Sequence, residues 1–198
     1  MGIQIQSLGY VLIEMQDPAA WLDVGVNILG FNGQQDDSGT VKLKMDSAPS
    51  RYLIQRGETD RFISAGWQCS SDQYDALLAD FSQQGIATEQ GSQDECAMRE
   101  VTAFVKGLDP SGNAFEVFHG RAEDEAFSSP LAGTEFIADA LGLGHLVLPA
   151  MDHAATSDFY QRVMGFGMSD DLTLPPPMAE MPEMCIHFLH AQNPQKSL

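Results

Sequence analysis

The chain has 198 residues, of which 43% are hydrophobic, so it can bury a core, and intrinsic disorder is excluded. The formal net charge of −18 makes nucleic acid and anionic membranes unfavourable partners, because either would repel this surface. The sequence opens with neither the basic nor the apolar segment of a signal peptide, and no run of about 18 apolar residues predicts a transmembrane helix. The three scattered cysteines indicate reduced thiols, so we expect a cytoplasmic protein.

The first predicted unit consists of a strand, a helix and two or three further strands. Residues 8–15 form an apolar run that predicts a strand. Asp17, followed by a proline, predicts the N-terminus of a helix that ends near Gly30. Alternating apolar and polar residues over 41–45 predict a strand, and residues 51–55 predict another.

A second unit of the same kind follows directly. Strands are predicted at residues 63–69, 101–106 and 115–118, and a helix with one apolar face is predicted at 71–84. We therefore expect two βαβββ units to pair into an N-terminal domain over residues 1–120.

A third unit is predicted after an acidic connector over residues 121–141. It has a strand at 145–148, a helix at 153–164 and a strand at 185–190. These elements would form the first module of a C-terminal domain over residues 142–198. Because the first two units pair, symmetry predicts a fourth unit. We expect that the chain either ends early or borrows this unit from a neighbour.

One passage occurs twice in the sequence, at an offset of 135 residues. Residues 8–31 and 143–166 align without a gap, and eight of the 24 aligned positions are identical. The identical pairs are Leu8/Leu143, Gly9/Gly144, Asp17/Asp152, Ala19/Ala154, Ala20/Ala155, Asp23/Asp158, Gly30/Gly165 and Phe31/Phe166. Tyr10, however, becomes His145. A neutral imidazole is a far commoner metal ligand than a phenol, so we predict that the second copy holds the working site.

Several motifs resemble those of a known family. They are Gly142–His145, Leu108–Asn113, Glu116–Gly120, Asp158–Tyr160 and the pair Gly165-Phe166. Together with the paired units they resemble the type I extradiol ring-cleavage dioxygenases of the vicinal oxygen chelate superfamily, which also includes glyoxalases. The resemblance implies an α+β fold of paired βαβββ modules. It also implies an enzyme that opens 2,3-dihydroxybiphenyl or a steroid-derived catechol with Fe(II) and O₂.

The resemblance assigns site residues only in part. Such enzymes hold Fe(II) with two histidines and one carboxylate, leaving positions open for the catechol and O₂. His145 matches the first ligand, the alternative being a buried, hydrogen-bonded histidine. The other two ligands belong to a fourth unit, so we expect the chain alone to bind Fe(II) weakly or not at all. Glu116 is the symmetry mate of the carboxylate ligand, and we predict a structural role for it.

Further site residues follow from the same resemblance. Lys196 lies where the family carries its acid–base histidine, although an exposed lysine is the plainer interpretation. The substrate slot would be apolar and lined by Val147, Met178 and Phe188. Plain core packing is an equal alternative for Val147 and Phe188.

Two other functions stay open. A non-catalytic protein of the same superfamily could bind an aromatic ligand or complete another chain. A glyoxalase-like metal enzyme would need ligands from a second chain. Glu116 of the partner subunit is the only candidate for such a ligand that lies in one of the motifs above. Because an open half-barrel exposes strand edges, we expect a homo-oligomer.

Overall fold

An eight-stranded sheet forms the centre of the protein, of which the computed structural model describes residues 4–176 and 183–192. Its strands are β1 (Ser7–Met15), β2 (Asn32–Gln35), β3 (Val41–Lys44), β4 (Tyr52–Arg56), β5 (Arg61–Gln68), β6 (Thr88–Gln90), β7 (Ala103–Leu108) and β8 (Ala114–His119). Their order across the sheet is β2-β3-β4-β1-β5-β8-β7-β6. The two halves therefore repeat one strand order, and β1 and β5 pair antiparallel where they meet. The predicted α+β fold class is confirmed.

Three helices accompany this sheet: α1 (Pro18–Asn27), α2 (Ser71–Gln83) and α3 (Gln93–Arg99). The apolar residues of α2 are buried with those of β5 and β8 in the largest core cluster, and Trp21 and Leu22 of α1 pack against a smaller cluster on β3 and β4. These contacts define a helical face of the sheet. No helix in the described ranges is both long and apolar enough to cross a membrane.

The opposite face of the sheet is here called the inner face. It carries a separate apolar cluster of Tyr10, Leu12, Leu53, Phe104 and Phe118, closed by Met98 of α3. Because side chains alternate along a strand, Lys42 and Lys44 of β3 point to this face while Val41 and Leu43 point to α1.

The predicted elements of residues 1–120 are confirmed, and three further elements, β2, β6 and α3, were not placed. β6 is a fully exposed polar strand, so no apolar alternation marks it. α3 has only seven residues, too few for a helical period, but it begins with a capping box between Ser92 and Glu95 that its sequence displays. The division into domains itself stays a prediction.

The second repeat is less regular than the first. After two short strands, β9 (Ser128–Ser129) and β10 (Thr134–Glu135), the chain forms α4 (His153–Asp158), which continues as a π-helical turn over Phe159–Val163. An isolated hairpin follows, made of β11 (Gly167–Leu174) and β12 (Met184–His190). β11 was missed because its exposed Ser169, Asp170 and Asp171 interrupt any apolar pattern.

The predicted strand at 145–148 is wrong. Residues 144–150 have no regular secondary structure, because no strand of the described chain pairs with them. A strand needs a neighbour to satisfy its backbone groups, and here these groups remain outside any ladder.

The two copies of the repeat share their local geometry. Asp17 caps α1 by accepting a hydrogen bond from Ala20 N, and Asp152 caps α4 by accepting one from Ala155 N. Gly30 and Gly165 both have a φ of 74°, a left-handed conformation that favours glycine after a helix. The identical residues thus preserve the helix ends.

A turn after β7 joins the second repeat to the first. Asp109 accepts hydrogen bonds from the backbone of Ser111 and Asn113 and from the hydroxyl of Tyr160. The Ser111 hydroxyl contacts that of Thr156 at 2.6 Å. The Asp-Pro-Ser-Gly-Asn turn therefore holds α4 and its π-helical continuation against the sheet.

Candidate metal centre and its duplicate

His145, the predicted metal ligand, lies on the extended segment 144–150 with its side chain exposed. Leu146 and Leu148 of the same segment pack against the core, while Val147 is 89% exposed. His145 and Val147 therefore share the outward side of the segment. The alternative of a buried, hydrogen-bonded histidine does not describe His145 in this structure.

Phe188, the third described candidate, lies on β12 and is 43% exposed. Its neighbour His187 points the other way, where its Nδ1 is 2.9 Å from the hydroxyl of Ser157 on α4. His190 contacts the Ser169 hydroxyl across the hairpin at 2.7 Å. The two histidines of β12 thus face different surroundings, as expected for residues three apart on a strand.

Tyr10, the matching position of the first repeat, is part of a buried network of hydrogen bonds. The Tyr10 hydroxyl donates a 2.6 Å hydrogen bond to Glu116 Oε2. Arg99 binds both oxygens of that carboxylate, with Nε to Oε2 at 2.6 Å and Nη2 to Oε1 at 2.7 Å. Ser64 donates to Oε1 at 2.8 Å. Every lobe of the Glu116 carboxylate is therefore directed at a protein donor, and all four side chains lie on the inner face.

Burial dominates the electrostatics of this group. It raises the pKa of Tyr10 well above its ordinary value, and the neighbouring Glu116 carboxylate raises it further. Burial also opposes the charge of Arg99, but the hydrogen bonds that Arg99 donates to Glu116, together with the Glu116 charge, outweigh this and raise the pKa of the guanidinium. Tyr10 is therefore a neutral donor and Arg99 a permanent cation, which is the pairing that a buried carboxylate needs.

The described residues do not by themselves form a metal site. No group of three or more His, Cys, Asp or Glu side chains in the described ranges is arranged to hold an ion. Glu116, whose role was predicted to be structural, has both oxygens bound to Arg99. His145 is left as one exposed imidazole.

Two predicted site residues, Lys196 and Met178, lie outside the described residues. The described candidates Val147 and Phe188 line neither of two cavities found on the surface of the described chain. The larger of these, about 670 Å³, lies beside β6 and β7 and includes Lys106 and Phe159. Neither of these two cavities is therefore the predicted substrate slot.

The sequence interpretation missed Arg99 and Ser64. Both are separated from Glu116 by many residues, 17 and 52 respectively, and neither belongs to a motif. One signal was available: the capping box at Ser92 announces a helix, and Arg99 is its last residue.

Comparison with known proteins matches both halves of the chain. The family model described as "Dihydroxybiphenyl dioxygenase BphC D1" matches residues 8–57. A second model, "Glyoxalase/Bleomycin resistance protein/Dioxygenase superfamily", matches residues 142–198.

Individual relatives carry related descriptions. The chain is 36% identical over 183 residues to an iron-dependent extradiol dioxygenase of Rhodococcus jostii, covering 91% of this chain and 61% of that protein. It is 30% identical over 202 residues to a biphenyl-2,3-diol 1,2-dioxygenase of Paraburkholderia xenovorans, covering 99% of this chain and 66% of that protein. The chain thus spans a little under two thirds of the length of these relatives.

Solved structures show the same fold. A crystal structure of catechol 2,3-dioxygenase superposes with a TM-score of 0.81 at 26% identity, covering 94% of this chain and 66% of that one. A halotolerant catechol dioxygenase superposes with a TM-score of 0.78, also at 26% identity, covering 94% of this chain and 61% of that one.

Proposed function

The chain belongs to the type I extradiol dioxygenases of the vicinal oxygen chelate superfamily, and we propose that it serves in opening the aromatic ring of a catechol with Fe(II) and O₂. Residues 1–120 would form the N-terminal domain, residues 121–141 the connector, and residues 142–198 part of the catalytic domain. We infer that the substrate is a bicyclic or steroid-derived catechol, since several relatives are named for biphenyl-2,3-diol.

One observation carries this proposal: in the first repeat, Tyr10 and Glu116 meet at 2.6 Å. Position 10 corresponds to position 145 at the 135-residue offset. In the resemblance stated above, Glu116 corresponds to the carboxylate ligand. The contact therefore supports a geometry in which the residue at position 145 faces that carboxylate across the inner face of a complete domain.

His145 would supply one imidazole of the iron site. Because the described residues do not complete a ligand set, we place the remaining ligands outside them. The exposure of His145 is consistent with this assignment, because it leaves the imidazole accessible to a metal ion.

Val147 and Phe188 would contribute apolar surface for the ring that bears no hydroxyl groups. Both side chains present apolar surface to solvent, with Val147 89% and Phe188 43% exposed. Transfer of such side chains out of water stabilises a bound aromatic ligand by about 25 cal/mol per Å² of buried apolar area. Lys196 stays a proposed acid–base residue.

Oxygen uptake tests the activity. The chain is loaded anaerobically with excess Fe(II), mixed with 2,3-dihydroxybiphenyl and then exposed to air. We expect a yellow ring-cleavage product with one O₂ consumed per catechol, and we expect the reaction to require excess iron.

The matched variants are His145→Ala, which should abolish ring cleavage, and His119→Gln, which should retain it. His119 stacks on Tyr74 and lies in the first domain. Binding of the catechol without oxygen uptake, at any iron concentration, would instead identify a non-catalytic aromatic-binding protein. Cleavage that persists in His145→Ala would reject His145 as a ligand.

A further inference from the structure

Arg121 is a half-buried cation with no partner in the described structure. It follows β8 directly, at the start of the connector. Its Nε and Nη1 atoms are buried and donate to no acceptor. Burying a charged donor without an acceptor is costly, so this arrangement needs an explanation.

None of the nearby carboxylates accepts a hydrogen bond from Arg121 in the described structure. Asp46 accepts hydrogen bonds from Nε and Nη2 of Arg51 and from the Asp139 backbone. The carboxylate of Asp139 accepts two hydrogen bonds from Ser47. Glu123 is exposed to solvent. Arg51 is itself fully buried and adds a second positive charge beside Arg121.

The other buried or half-buried basic residues in the described ranges differ from Arg121. Each has a carboxylate partner at 2.5–2.9 Å: Lys42 with Glu100, Lys44 with Asp124, Arg51 with Asp46, Arg99 with Glu116 and Lys106 with Glu95. The protein thus neutralises its interior cations one by one, in a chain with 28 carboxylates and only 10 basic residues. Arg121 is the exception to this pairing.

We propose that Arg121 binds a small monovalent inorganic anion of chloride size, which accepts hydrogen bonds from the buried Nε and Nη1 donors. Burial and the charge of Arg51 lower the pKa of Arg121 despite three nearby carboxylates, which is consistent with an unneutralised guanidinium. A bound anion would both accept the hydrogen bonds of Arg121 and neutralise its charge, whereas a water molecule would only accept the hydrogen bonds.

The position of the site indicates what the anion would stabilise. Directly after Arg121 the chain is fixed by two backbone hydrogen bonds: Ala122 N donates to Glu100 O at 2.8 Å, and Asp124 N donates to Ser47 O at 2.9 Å. An anion on Arg121 would therefore hold this part of the connector against the sheet. This inference is independent of the proposed ring-cleavage activity.

Chloride-35 NMR tests the site directly. The linewidth of chloride is measured with the full chain at constant ionic strength, with sodium gluconate as the replacement salt because its bulky anion cannot enter a buried site. We expect excess broadening with the protein, its loss in Arg121→Gln, and a thermal unfolding midpoint that rises with chloride only in the parent chain. Addition of nitrate or formate distinguishes a general monovalent-anion site, where both displace chloride, from a halide site, where neither does.

Arg162→Gln is the matched control, because it removes one positive charge from an exposed pair with Asp158. This variant should keep the full broadening. Equal broadening in the two variants, or none in the parent chain, would overturn the proposal. If Arg121→Gln fails to fold, Arg121→Lys keeps the charge without the Nε–H donor, and undiminished broadening there would overturn it as well.

Discussion

Tyr10 and His145 occupy the same position in two copies of one repeat, yet their surroundings are opposite. Tyr10 is 2% exposed, lies on a strand paired on both sides, and donates to a carboxylate that also binds Arg99. His145 is exposed on a segment that pairs with no strand in the described chain. The helix that follows each of them is nevertheless capped in the same way, by Asp17 and by Asp152.

This difference separates what the repeat preserves from what it changes. The shared aspartates and glycines satisfy backbone requirements that any copy of the unit must meet. The residue on the strand is free to change if its partners change with it. In the first copy, the Arg99 guanidinium supplies the positive charge that the buried Glu116 carboxylate needs.

Removing Arg99 is expected to have the largest effect on stability. Arg99→Met leaves the buried Glu116 carboxylate without its cation, and this should lower the free energy of unfolding by about 3–5 kcal/mol. Urea unfolding followed by circular dichroism measures the change. The exposed pair of Arg162 with Asp158 provides the control, for which Arg162→Met should leave the urea midpoint almost unchanged.

The double variant Arg99→Met/Glu116→Met tests whether the instability of Arg99→Met comes from the uncompensated charge of Glu116 or from lost packing of the Arg99 side chain. It should recover most of the stability, because both charges are then absent from the interior. A double variant as unstable as Arg99→Met alone would mean that packing, and not charge, accounts for the loss.

Tyr10→Phe is expected to have an intermediate effect. It removes the 2.6 Å hydrogen bond to Glu116 while keeping the ring that stacks on Phe118. The cost should be about 1–2 kcal/mol, since Arg99 and Ser64 still bind the carboxylate. Thermal or urea unfolding provides the measurement.

Tyr52→Phe is the matched control for Tyr10→Phe. Tyr52 is half-buried and stacks on Phe31, and no side-chain hydrogen bond of its hydroxyl is found in the described structure. Its loss of a hydroxyl should change the unfolding free energy by less than about 0.5 kcal/mol. Equal costs at the two positions would show that the contact with Glu116 contributes nothing specific.

Glu95→Gln tests the helix that carries Arg99 to Glu116. Lys106 binds Glu95 and, with the backbone of Ser92, lowers its pKa to about 2. A carboxyl whose folded-state pKa is depressed stabilises the fold above its ordinary value of 4.5, and this contribution disappears as the pH falls towards 2. Because the side chain is partly exposed, we expect a loss below about 1 kcal/mol at pH 7.

The same variant should also flatten the pH dependence. Between pH 4.5 and 2 the parent chain should lose stability more steeply than Glu95→Gln, and the two should converge at the acid end. Urea unfolding at several pH values checks this. Parallel curves over that range would show that other carboxylates govern acid unfolding.

The elements of residues 1–120 could largely be predicted because their signals are local. The apolar patterns of β1 and β3 can be read directly from their sequences. The start of α1 is marked by its capping residue Asp17, and α2 is marked by its apolar face. β6 has no such signal because all three of its residues are exposed. Residues 145–148 have the pattern of a strand but lack a pairing partner, a condition that local sequence does not reveal.

The candidate site was predictable only as far as symmetry reaches. The offset between the repeats identified Tyr10 and His145, and the family resemblance added Glu116 as the symmetry mate of the carboxylate ligand. The contact of Arg99 with Glu116 depends instead on how α3 packs over the inner face, and no local pattern encodes that tertiary contact. The exposure of Val147 likewise depends on whether another element packs against the segment 144–150, which local sequence does not reveal.

His145→Ala should have the smallest effect on stability and the clearest effect on metal binding. The side chain is exposed, so the free energy of unfolding should change by less than about 0.5 kcal/mol. Titration with Co(II), followed by its visible spectrum, should show weak binding to the parent chain that is lost in the variant. If His145→Ala instead lowers stability by more than about 1 kcal/mol and leaves the Co(II) spectrum intact, His145 packs like Tyr10. Stability that is insensitive to His145 but sensitive to Tyr10 would show that one copy of the repeat uses this position to fold and the other uses it to bind.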